Sequence, residues 1–81
     1  MIFLIEYNRP EGRIVTFKTF DSTERSTAEN LRLEIELNLN LKKVEHEVVL
    51  LEAADENALR KTHRRYFEDL SQIAKSLGDS N

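Results

Sequence analysis

The stretch Leu31-Arg32-Leu33-Glu34-Ile35-Glu36-Leu37-Asn38-Leu39-Asn40-Leu41 decides how this chain folds. Apolar and polar residues alternate through it without a break, and a period of two belongs to a half-buried strand. The residue types argue the other way. Leu, Glu and Arg are good helix formers, and Ile35 is the single β-branched residue of the run. Nor does a Gly or Pro turn the chain before Val44. We read the stretch as helix. At about 100° per residue, Ala28, Leu31, Ile35 and Leu39 then fall on one side. Leu33, Leu37 and Leu41 fall nearly opposite. A helix that is apolar on two sides is usually covered on two sides.

Upstream, Asp21-Ser22-Thr23-Glu24 has the form of a helix start. The Asp21 or Ser22 side chain can accept from free N–H groups of the first turn, and Glu24 can reach back as in a capping box. Ser22, Thr23, Ser26 and Thr27 cluster there, and capping is the plain account of them beside phosphorylation or anion binding. Downstream, Lys42 and Lys43 stand where positive charge favours a helix end.

Before this helix come two β-rich runs, Met1 to Tyr7 and Arg13 to Phe20. The loop between them holds the chain's one Pro and one of its two Gly, which reads as a hairpin. After the helix, Val44 to Ala53 reads as a third strand, apolar on both faces and central, with strand one as the other candidate for the middle of the sheet. Asp55 then caps a second helix reaching to about Leu77, with Gly78 as its stop. Its apolar stripe is Leu59, Tyr66, Leu70, Ile73 and Leu77. The expected fold is α+β: a two-layer α/β sandwich of order β-β-α-β-α, with a three-stranded mixed sheet and two helices. Residues 1–78 form its single domain and residues 79–81 a frayed tail.

The strand residues divide into two apolar faces. Phe3, Ile5, Tyr7, Val15, Phe17, Val49 and Leu51 line one; Ile2, Leu4, Ile14, Val48 and Leu50 line the other. Helices on a single side would leave a bare apolar sheet, which invites a partner. Helices on opposite sides would not. The surplus stripe Leu33, Leu37 and Leu41 also calls for cover, from a partner or from the chain's own hairpin or loop. We expect self-association, as a twofold homodimer, or binding of another protein through that stripe.

The alternative is a nucleic-acid-binding accessory role for Arg60, Lys61, Arg64 and Arg65, the densest charge in the chain. Against it stand acidic residues at helical spacing: Glu56 to Arg60, Arg64 to Glu68 and Arg65 to Asp69. The chain as a whole, 81 residues with 12 Lys and Arg against 15 Asp and Glu, carries a net charge of −3.

Catalytic signatures are absent from the sequence. Zero Cys removes thiol catalysis, disulfides and thiolate metal sites. No glycine-rich phosphate loop, nucleophile elbow or paired-histidine zinc motif occurs. His46 lies between Glu45 and Glu47, but strand neighbours point to opposite faces, so neither shares its side. His63 falls at the edge of a core stripe. The aromatic residues lack the flanking cations of a base-stacking platform. We therefore expect no enzyme, no cofactor and no metal. With no run approaching the ~20 apolar residues of a membrane span, and no signal segment, we expect a cytoplasmic chain that does not enter membranes.

Overall fold

The computed structural model of the chain describes residues 1–68. Strands β1 (Ile2–Asn8) and β2 (Arg13–Phe20) form the expected hairpin. The Asn8 side chain organises its loop: Oδ1 accepts from Glu11 N–H at 3.1 Å, and Nδ2 donates to Glu11 Oε2 at 3.0 Å. Gly12 N–H closes the turn on Asn8 C=O at 2.8 Å, with φ at 65°, a value glycine reaches without strain.

The alternating stretch is helix. α1 spans Arg25–Lys42 and follows a 3-10 turn at Ser22–Glu24. Asp21 accepts from Thr23 N–H at 2.8 Å, and its own N–H donates to Glu24 Oε1 at 3.1 Å. The capping box thus forms on Asp21, and its hydrogen bonds to Thr23 hold the Asp21 carboxyl below its ordinary range. At the other end Lys43 takes the left-handed conformation, φ 56° and ψ 40°. Its N–H meets Asn40 C=O at 3.2 Å and Val44 N–H meets Leu39 C=O at 3.0 Å, the paired closure of a Schellman motif.

β3 (His46–Glu52) returns to pair with β1, giving the strand order β2-β1-β3. The α+β class and the element order are as expected; three details differ. The central strand is β1, where Ile2 to Glu6 are all buried, and β3 is an edge. The sheet is antiparallel throughout rather than mixed. Crossing over through α1 makes β3 parallel to β2, but β1 lies between them, so each neighbouring pair runs antiparallel. The helices also lie on opposite faces, which makes three layers instead of two. Register shows this. Ile2, Leu4 and Glu6 pair with Glu52, Leu50 and Val48, and Arg25 at the start of α1 is ion-paired to Glu52 on that same face. Ala28 is fully buried there, with Leu31, Ile35 and Leu39 half-buried.

The opposite face carries the other core: Phe3 and Ile5 against Leu59 and Tyr66, with Phe17, Val49, Leu51 and Phe67 packed around them. Leu59 belongs to α2 (Glu56–Thr62), whose cap is Asp55, accepting from Ala58 N–H at 2.8 Å. Ile14 joins this core too, contrary to its expected side. A register shift opposite Glu6 and Tyr7 leaves Val15 without a partner and pairs Ile14 with Tyr7, which swaps the facing of that strand end. Val15 is left exposed.

The second helix is shorter than its apolar stripe implies. α2 ends at Thr62, and a 3-10 turn follows at Arg64–Tyr66. Thr62 Oγ1 hydrogen-bonds back to Ala58 C=O at 3.0 Å, and His63 leaves helical geometry. The turn sets Tyr66 edge-on against Tyr7, ring centroids 5.2 Å apart, and Phe67 edge-on against Phe17 at 5.9 Å. The Tyr7 hydroxyl donates to Arg65 C=O at 3.3 Å, tying the turn to the central strand. Leu70, Ile73 and Leu77, Gly78 and the tail 79–81 lie outside the described residues.

Candidate functional site

Three places hold the residues on which function could rest. The first is the outer side of α1. With Ala28, Leu31, Ile35 and Leu39 turned to the sheet, the helix places Leu33, Leu37 and Leu41 outward. They are 53%, 55% and 84% exposed. They are four residues apart, so they form one ridge along the helix. Ser26, Asn30 and Asn40, also exposed, share that side, and Glu34 borders it. In a chain that is 33% charged, this face carries its charge only along its edges. The chain's own hairpin does not lie over it.

The second place was only half legible in the sequence. Glu6, the lone polar residue in the apolar run of β1, is 8% exposed. Its Oε2 lies 2.6 Å from His46 Nδ1, and its Oε1 accepts from Thr16 Oγ1 at 2.9 Å. A carboxylate only accepts, so His46 Nδ1 carries the hydrogen. His46 thus has its acidic partner across the sheet, not in Glu45 or Glu47. The signal was a single Glu amid Ile, Phe and Leu; what the sequence lacked was the pairing that sets β3 beside β1. His46 also borders a cleft of about 740 Å³ with Arg9, Pro10, Asn40 and Val44.

The order of these groups decides their chemistry. To activate a hydroxyl, an imidazole must stand between it and the carboxylate. Here the carboxylate stands in the middle, so the hydroxyl and the imidazole both stabilise Glu6 and neither activates the other. Among the described residues no group of three or more His, Asp or Glu gathers as a metal site.

The third place is the basic cluster. Arg60, Lys61 and Arg64 border one shallow cleft with Asn57, but Arg65 is turned away from it. Its guanidinium bonds Glu47 of β3 at 3.0 Å and lies over the Tyr66 ring, 4.2 Å from the centroid. The hydrogen bond to Glu47 raises the Arg65 pKa further. Two expected acidic partners are present, Glu56 to Arg60 at 3.6 Å and Glu68 to Arg64 at 3.0 Å. The third, Asp69, lies outside the described residues. Arg60 also stacks over Phe67 at 4.5 Å, so much of its surface serves packing. His63 is half-buried beside Tyr66, ring centroids 6.5 Å apart, at the edge of the core as expected.

Among the described residues no helix is long and apolar enough to cross a membrane. Comparison with known proteins adds no relative: no family model, no curated protein and no solved structure matches the chain.

Proposed function

We propose that this chain is a small non-catalytic assembly module whose working surface is the outer side of α1. One observation carries the reading: Leu33, Leu37 and Leu41 form an exposed apolar ridge on a helix whose opposite side is committed to the sheet. Single exposed leucines need no explanation, but a contiguous ridge on an otherwise charged surface marks a contact site. The inverted order of Thr16, Glu6 and His46 supports the non-catalytic part. A nucleic-acid role is the weaker reading, because Arg60, Arg64 and Arg65 are each engaged by a glutamate. A cytoplasmic setting goes with the proposal; a cysteine-free module keeps its form in a reducing compartment.

The test is photo-crosslinking in cells from a photoreactive residue at position 37, with exposed Thr19 as the control position. A discrete adduct from 37, missing from 19 and abolished by Leu41→Glu, is the expected result. No adduct from 33, 37 or 41 refutes the reading.

A further inference from the structure

We propose that the occupant of this ridge is a second copy of the chain, docked α1 against α1 in antiparallel orientation, with Leu37 at the twofold axis. The proposal rests on the reading of α1 given above and adds the identity and geometry of the partner.

The spacing is the first argument. Leu33, Leu37 and Leu41 are evenly placed about Leu37, so reversing the ridge superposes it on itself. Leu33 then meets the partner's Leu41, Leu37 meets the partner's Leu37, and Leu41 meets the partner's Leu33. An isologous interface needs this self-complementarity.

Charge is the second argument, and it selects the direction. On α1, Glu29 and Glu36 are already ion-paired to Arg25 and Arg32, whereas Glu34, which borders the ridge, makes no ion pair among the described residues; Lys42 and Lys43 lie at the helix end. Antiparallel docking brings Glu34 within about one turn of the partner's Lys43. Parallel docking stacks Glu34 on the partner's Glu34 and Lys43 on the partner's Lys43, which is repulsive at both levels. Lys43 is exposed and makes no ion pair among the described residues. The uncharged centre of the face, with Asn30 and Asn40 beside the leucines, puts no buried charge into the contact.

Area is the third argument, and it sets the strength. Three part-exposed leucines with small polar neighbours give less than the ~800 Å² per partner of a standard interface. The dimer therefore belongs with weak, transient contacts rather than obligate ones.

The chain has no native cysteine, so single-cysteine variants report contacts without background. In sedimentation, the purified chain is expected to rise from its monomer mass of 9.5 kDa towards twice that across roughly 1–300 μM. Leu37→Glu and Leu41→Glu should both abolish the rise while keeping the wild-type circular dichroism. With a short thiol crosslinker, Leu37→Cys should link to itself. An equimolar mixture of Leu33→Cys and Leu41→Cys should give the mixed product in excess over either like pair.

A wild-type chain that stays monomeric across the series overturns the proposal. So does a dimer that crosslinks from Thr19→Cys on the edge strand instead of position 37. Like pairs, 33 with 33 and 41 with 41, overturn the antiparallel arrangement. A purified monomer that still gives a position-37 adduct with a different protein in cells defeats self-pairing alone and leaves the assembly reading standing.

Discussion

The pairing of Glu6 with His46 can be measured as a coupling energy in a double-mutant cycle. Both side chains are mostly withdrawn from water, 11% and 15% exposed, and meet at 2.6 Å. A hydrogen bond to a charged group contributes about 1.5–3 kcal/mol. His46→Leu removes the donor at Oε2 and leaves the carboxylate with Thr16 alone. Because the pair borders a cleft that admits water, we expect a cost near the middle of that range, about 2 kcal/mol. Glu6→Leu removes the buried charge itself and should cost about 1 kcal/mol, chiefly through the unpaired Thr16 hydroxyl and imidazole. The double variant replaces a polar pair by two apolar side chains, a change that is often nearly neutral. The coupling should therefore be about 3 kcal/mol, the sum of the two single costs. Urea denaturation followed by circular dichroism reads it directly. With a slope of about 1 kcal/mol per molar for a chain this size, the midpoint of His46→Leu should fall by about 2 M and that of the double variant by much less. Additive single effects, with coupling below about 0.5 kcal/mol, would refute the reasoning and make solvent, not His46, the partner of Glu6.

Three further outcomes follow from the geometry. Lys43→Gly should raise stability by about 0.5–1 kcal/mol, since a side chain in the left-handed region costs about 1–2 kcal/mol and glycine's extra unfolded entropy returns part of it. A thermal melt should move up by a few degrees, and an unchanged or lower melt contradicts the cap assignment. Leu59→Ala, at a fully buried site, should cost about 3 kcal/mol, whereas Leu41→Ala assayed as dilute monomer should stay within about 0.5 kcal/mol. Equal losses would mean the two sides of the fold are misassigned. Burial and the nearby Glu47 charge raise the Tyr66 phenol above its ordinary 10.0. Its neutral form is thus favoured by folding, and that stability is present below pH 10.0 and lost as pH rises through the raised native value. Tyr66→Phe should flatten the alkaline fall in stability, and an unaltered slope between roughly pH 9 and 11 would rule Tyr66 out as its source.

Much of this architecture was legible because it rests on local chemistry. The capping box at Asp21 and Glu24, the turn at Gly12 and the cap at Asp55 are short-range hydrogen-bond patterns that a sequence displays directly. The alternating stretch was the informative ambiguity. Two residues along a helix turn about 200°, so strict alternation on α1 puts leucines on opposite sides almost as a strand would. Only the residue types and the caps separate the two. The break at His63 was not legible, because Leu59 and Tyr66 still fit one helical stripe; the turn answers to Tyr7 and Phe17, which are distant in sequence.

The sequence by itself determined the elements and their order, the two-sidedness of α1, and the presence of more apolar surface than one helix face can hide. Tertiary structure alone decided where that surface ends up. Strand order and register are set by contacts between residues up to fifty positions apart, so no local pattern could show β1 in the centre or the shift that turns Ile14 inward. The same long-range pairing brought Glu6 to His46 and took Arg65 from the basic cluster to Glu47. It also placed one helix on each face of the sheet. With both faces met by a helix, the exposed apolar surplus of the described residues concentrates on Leu33, Leu37 and Leu41.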